Sequence, residues 1–169
     1  MKTLLLVRHA KSSWNDADIS DIDRPLKRSG VKAAIEVAEK LKTLKIIPDI
    51  IITSPAVRAI TTALIFARTL SYHYNRIVIN EVVYDFSKEA LLPLVRNIDD
   101  KYDTAMLVGH DPAFTYLLND LTRKVFDKMP TASVAKITFR VKHWNKVIPG
   151  SGKLVFLESP EKEKKTAEE

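Results

Sequence analysis

Four side chains of this chain, Arg8, His9, Arg58 and His110, are of the types that hold and attack an oxyanion. A guanidinium pairs with two phosphate oxygens at once, and a neutral imidazole nitrogen is a nucleophile that can carry a phosphoryl group. That nucleophile needs one ring nitrogen free and the other held by an acceptor, often a backbone carbonyl. Each of the four follows a short aliphatic run. Thr3-Val7 leads into Arg8-His9, Asp49-Thr53 into "SPAVR" with Arg58, and Thr104-Val108 into "GHDP" with His110. Phosphoryl transfer asks the protein mainly for positioning and charge neutralisation. Arg8, Arg58 and a protonated His110 are expected to supply that charge without a metal.

The elements around these residues explain how distant positions would meet. The three aliphatic runs read as buried strands. Ser29 is expected to cap a helix reaching about Lys45, with Val31, Ala34, Ala38 and Leu41 inward. Ser54-Pro55 reads as an N-cap and first helical residue of a helix to about Leu70, with Val57, Ile60, Leu64 and Ala67 inward. Asp111-Pro112 repeats that start for a helix to about Leu121. Residues 88–97 form a further helix, and residues 77–79, 133–141 and 153–157 read as strands. This alternation predicts an α/β fold: a three-layer αβα sandwich with a mostly parallel central sheet and an antiparallel edge. Residues 1–157 make one domain, and the charged tail 158–169 is expected to be disordered. In such sheets ligands bind beyond the carboxyl ends of the strands, where the helix N-termini add partial positive charge.

The 169 residues suffice for one core. There is no cysteine, which excludes disulfides, thiolate metal sites and a cysteine nucleophile and fits a cytoplasmic location. No apolar run is long enough for a membrane span, and the first one leads into Arg8-His9 without a signal-peptide pattern. The net charge of +6 comes from scattered lysines rather than a nucleic-acid-binding stripe. No nucleic-acid or membrane partner and no cofactor is therefore expected. His73 and His143 read as surface histidines, and "DADISDID" lacks the glycine and glutamate of a calcium loop. Arg24 reads as a loop salt bridge or a pocket-mouth residue, Lys11 as exposed or substrate-facing, and Trp14 as loop packing.

"VRHAKSSWN", "SPAVRAITT" and "VGHDP" resemble, in order and spacing, the motifs of the histidine phosphatase (phosphoglycerate-mutase-like) superfamily. "RHAKS", "DRPLKRSG" and the compact size are most similar to the SixA-type phosphohistidine phosphatases. The likeness runs from Lys2 to about Leu157. It implies that His9 is the phosphorylated nucleophile and that Arg8, Arg58 and His110 complete the phosphate pocket. It also places Asn15 and Ser12 near the phosphoryl oxygens, and Glu81 where many relatives keep a general acid. The usual glycine after the histidine is Ala10, so that turn should use an ordinary backbone region.

The resemblance implies a hydrolase of phosphoryl groups, and a chemical argument bears on its substrate. An alkoxide leaving group needs a proton donor, whereas imidazole, with a pKa near 6.5, needs less help. A site with a loosely matched acid suits P–N cleavage, and little sequence is available for a lid. The reading is a metal-independent phosphohistidine phosphatase acting on a phosphorylated substrate such as a phosphorelay protein. The alternatives are a small-molecule phosphomonoesterase and a catalytically inactive module that binds phosphate ligands.

Overall fold

Successive residues of β1 (Lys2–Arg8) are buried on opposite faces of a sheet. Leu4 and Leu6 join one apolar cluster and Leu5 and Val7 another. A strand covered on both sides has no polar face, which is why this run is continuously aliphatic. The computed structural model describes residues 1–84 and 87–161. Its sheet also contains β2 (Ile50–Thr53), β3 (Val78–Ile79), β4 (Thr104–Gly109), β5 (Val134–Phe139) and β6 (Gly152–Glu158), in the order β3-β2-β4-β1-β5-β6. The first four strands run parallel; β5 is antiparallel to β1, and β6 to β5.

Helices cover both faces, as the alternation predicts. The cluster holding Leu5 and Val7 is closed by Ala34, Val37, Ala38 and Leu41 of α1 (Arg28–Thr43) and by Ala59, Ala63 and Phe66 of α2 (Val57–Thr69). On the other face lie Leu91 and Val95 of α3 (Lys88–Arg96) and Leu117, Leu118 and Leu121 of α4 (Ala113–Thr122). The three-layer sandwich with an antiparallel edge is the observed fold.

The helix starts differ from their sequence signals, each for a local reason. Lys27, not Ser29, is the N-cap of α1. Its N–H donates to the Lys11 carbonyl at 2.8 Å. Gly30 is packed so tightly there that a Cβ would stand 2.3 Å from the same oxygen. The entry of α1 is thus set by the segment after β1. Ala56, not Ser54, precedes α2. The inward face of α2 is also turned: Arg58, Ala59, Thr62, Ala63, Phe66 and Ala67 are buried, while Val57, Ile60 and Leu64 are half-buried. Small alanines let the helix approach the sheet and bring Arg58 to its end. Pro112 occupies the N-cap of α4, and the Asp111 carboxylate instead accepts from the Thr115 amide and hydroxyl.

Part of the expected tail is ordered. Glu158 closes β6, Lys40 donates to the Ser159 carbonyl, and the Glu161 N–H donates to Glu36 on α1. The rest of the tail, 162–169, lies outside the described residues. Among the described residues no helix is long and apolar enough to cross a membrane.

Candidate active site

The strand ladder sets three residues abreast. Arg8 pairs with Gly109 in register, and Thr53 with Val108. One step beyond, the His9 N–H donates to the Gly109 carbonyl at 2.9 Å, and the Ser54 N–H to the Val108 carbonyl at 3.0 Å. His9, Ser54 and His110 therefore leave the sheet side by side, with the two imidazole centroids 5.0 Å apart. They open on a cleft of about 380 Å³ lined also by Arg8, Arg58, Ser12 and Trp14. The geometry brings together the four residues singled out by type.

His9 meets the requirements of a nucleophile. Its Nδ1 donates to the Ala10 carbonyl at 2.7 Å, which assigns the lone pair to Nε2. Burial pushes its pKa down to about 4; the cations Arg58, Arg8 and Arg24 act in the same direction, and the Ala10 hydrogen bond opposes them. The ring is therefore neutral at pH 7. Ala10 is buried, and its N–H donates to the Thr62 hydroxyl on α2.

His110 is also neutral, contrary to the expectation of a protonated group. Burial, followed by the proximity of His9 and Arg58, pushes its pKa down to about 3. Its Nε2 lies 2.7 Å from the Ser54 hydroxyl, and its Nδ1 faces an Arg58 nitrogen at 3.4 Å. A guanidinium only donates, so Nδ1 is the acceptor and Nε2–H donates to Ser54. The Ser54 hydroxyl also accepts the Ala56 N–H, so the residue read as a helix cap is an orienting group for His110.

The arginines are held firmly yet incompletely satisfied. Arg8 donates to the Met129 carbonyl at 2.6 Å and lies 3.8 Å from the Asp111 carboxylate. Burial lowers the Arg8 pKa, and Asp111 opposes that shift. Arg58 donates to both the carbonyl and the carboxylate of Asp21, at 2.7 and 3.0 Å. The Nε atoms of Arg8 and Arg58 are buried without a hydrogen-bond partner among the described residues. Such donors are costly to leave unmade, and an oxyanion is a suitable acceptor.

Several residues at this cleft lay outside the sequence reading. Asp21 accepts from Arg58, from Arg24 at 3.2 Å and from the Tyr84 hydroxyl at 2.8 Å. Burial pulls its pKa up, but Tyr84, Arg58 and Arg24 together outweigh this, so it lies below the ordinary carboxylate value. Arg24, left between two readings, is buried at the cleft and donates to the Ser12 hydroxyl at 2.7 Å. Ser12 thus lines the cleft with its hydroxyl held by Arg24. A bridge between Ser12 and Leu26 and a bond from the Ser13 N–H to the Pro25 carbonyl tie this loop back on itself. "DRPLK" was the available signal for Arg24; nothing in the acidic loop marked Asp21.

Asn15 and Glu81 are not among the residues that line this cleft. Asn15 is exposed on a neighbouring depression that it lines with Asp16, Ile19 and Arg24. Glu81 is exposed on a short turn capped by the Asn80 side chain, and the segment reaches the site through Tyr84 instead. Among the described residues no group of three or more histidine, aspartate or glutamate side chains is arranged to hold a metal ion.

Residues 4–81 match the model of the histidine phosphatase superfamily (branch 1). An uncharacterised chloroplastic protein of Arabidopsis thaliana is 44% identical over 57 residues, which cover 34% of this chain and 26% of that protein's length. The SixA protein of Agrobacterium tumefaciens shares the fold, with a TM-score of 0.79 and 24% identity over 94% of this chain and 98% of that one. A protein histidine phosphatase SixA complexed with tungstate shares it too, with a TM-score of 0.75 and 21% identity over 94% and 97%. The matched span holds "VRHAKSSWN" and "SPAVRAITT" and covers just under half of the chain; "VGHDP" lies beyond it. The chain is similar to the superfamily over that span and shares the fold of the SixA structures.

Proposed function

We propose that this chain is a metal-independent phosphohydrolase that works through phospho-His9 and takes phosphohistidine on another protein as its preferred substrate. The observation that carries the reading is the tautomer of His9: Nδ1–H is spent on the Ala10 carbonyl, so a neutral Nε2 is the nucleophile, inside a cleft walled by arginines. In the first step the Nε2 lone pair forms the new N–P bond in line as the P–N bond to the substrate imidazole breaks. The departing imidazole keeps that electron pair and takes a proton from solvent. In the second step water attacks phosphorus, the N–P electrons return to Nε2, and phosphate leaves. Arg8 and Arg58 neutralise the equatorial oxygens, with their unpartnered Nε donors in reserve. Transfer between two imidazoles is balanced in leaving-group basicity, so no carboxylic acid is required; the placement of Glu81 outside the cleft agrees with this. The likeness to structures named SixA supports the substrate class.

The test is a labelled phosphohistidine peptide. The wild-type protein is expected to release phosphate and, when quenched, to carry acid-labile, alkali-stable label; His9→Ala should do neither. Faster turnover of small esters than of phosphohistidine would move the substrate to the metabolite class. Tight binding without turnover would leave only a ligand-binding module.

A further inference from the structure

Trp14 packs against its own loop through Arg24, yet 73% of the residue is exposed. It lines the same cleft as His9. The guanidinium carbon of Arg24 lies 3.4 Å from its ring centroid and covers one face, leaving the other free for a ligand. Arg24 is itself buried and braced by Ser12 and Asp21, so the indole has a fixed backing. The Ser12–Leu26 bridge ties the loop two residues before Trp14. Its position beside the phosphoryl seat, in a cleft larger than a phosphoryl group needs, indicates the occupant. We propose that Trp14 is a specificity-determining residue: its open face stacks on the leaving group, so the site favours phosphoryl groups carried on a flat aromatic ring over those on a ring-free atom.

This rests on the phosphohydrolase reading and narrows its substrate class. An imidazole on Trp14 would have its departing nitrogen held on the line through phosphorus to His9. Stacking between planar rings adds favourable energy beyond area burial and tolerates different rings. A cation on the far face of the indole is a stable arrangement in its own right, so the sandwich needs no rearrangement on binding.

The experiment compares wild type, Trp14→Ala and Trp14→Phe on two P–N donors, N-phosphohistidine and phosphoramidate. Both present the same bond to His9, but only the first carries a ring. The ratio of their kcat/KM values is expected to fall about tenfold in Trp14→Ala, mainly through a higher KM for the ring donor, and to be largely kept in Trp14→Phe. An unchanged ratio overturns the proposal, whether the two rates stay level or fall together. The only other tryptophan, Trp144, is fully buried, so its fluorescence reports whether Trp14→Ala is folded. If the wild type hydrolyses neither P–N donor, the phosphohistidine reading fails by itself. The same ratio measured with p-nitrophenyl phosphate and acetyl phosphate then decides the platform separately.

Discussion

Asp21 places a carboxylate on Arg58, the arginine to which the proposed mechanism gives the phosphoryl oxygens. Its charge offsets the field of Arg58 and Arg24 while the cleft is unliganded, and a phosphoryl dianion arriving there meets like charge. Asp21→Asn keeps an oxygen for Arg58 and Tyr84 but removes that charge. Inorganic phosphate and tungstate should then inhibit more strongly, with inhibition constants lower by roughly fivefold, the size expected of about 1 kcal/mol for a partly exposed pair. Weaker inhibition would instead make Asp21 a residue that positions Arg58. Competitive inhibition measured at two ionic strengths checks this, since a charge effect shrinks as salt rises. The asymmetry of what could be read from sequence shows here. Arg8, His9, Arg58 and His110 were legible because each lies at a strand's carboxyl end or, for Arg58, in the first turn of the helix that follows one, and strand ends of one parallel sheet converge. Asp21 and Tyr84 lie 63 positions apart and meet only through the folded loop, so no spacing rule connects them.

At the scale of elements, the strands were more legible than the helix starts. An aliphatic run covered on both faces leaves little choice of structure. A serine before a proline, by contrast, offers a hydroxyl that tertiary contacts can claim, and at Ser54 His110 claims it. The end of β4 shows how closely the elements constrain the site. A Cβ on Gly109 would stand 2.6 Å from the Phe114 ring of α4 and 2.7 Å from Val83. These neighbours belong to the core, and neither is the free end of a flexible chain. Gly109→Ala is therefore expected to cost roughly 1–3 kcal/mol. That should appear as a melting temperature several degrees lower. Because the strain falls on the residue before His110, kcat should fall as well. An overlay of both quantities on wild type would contradict the close packing of β4, α4 and Val83 at this point.

Across the whole molecule the site makes stability depend on pH in a definite direction. Burial pushes His9 and His110 down to about 4 and about 3 in the folded protein, against the ordinary 6.5 of a free imidazole. Both folded values are depressed, so between those limits the unfolded chain binds more protons than the folded one. Stability from this source is complete above about pH 6.5 and drains away as pH falls through 4 and then 3. Acidification from pH 7 to 4.5 should therefore destabilise the protein by a few kcal/mol. The double variant His9→Gln, His110→Asn has no such groups, and its denaturant-unfolding free energy should vary much less over that interval. Tungstate adds a second expectation. A bound oxyanion favours the protonated imidazoles that burial disfavours, and any ligand of the folded state stabilises it by mass action. With tungstate present the wild-type curve should rise overall and lose slope between pH 6 and 4.5. Parallel acid curves for wild type and double variant would place the pH sensitivity elsewhere, among the depressed carboxylates such as Asp21, and would break the link between the buried neutral imidazoles and the fold that holds them.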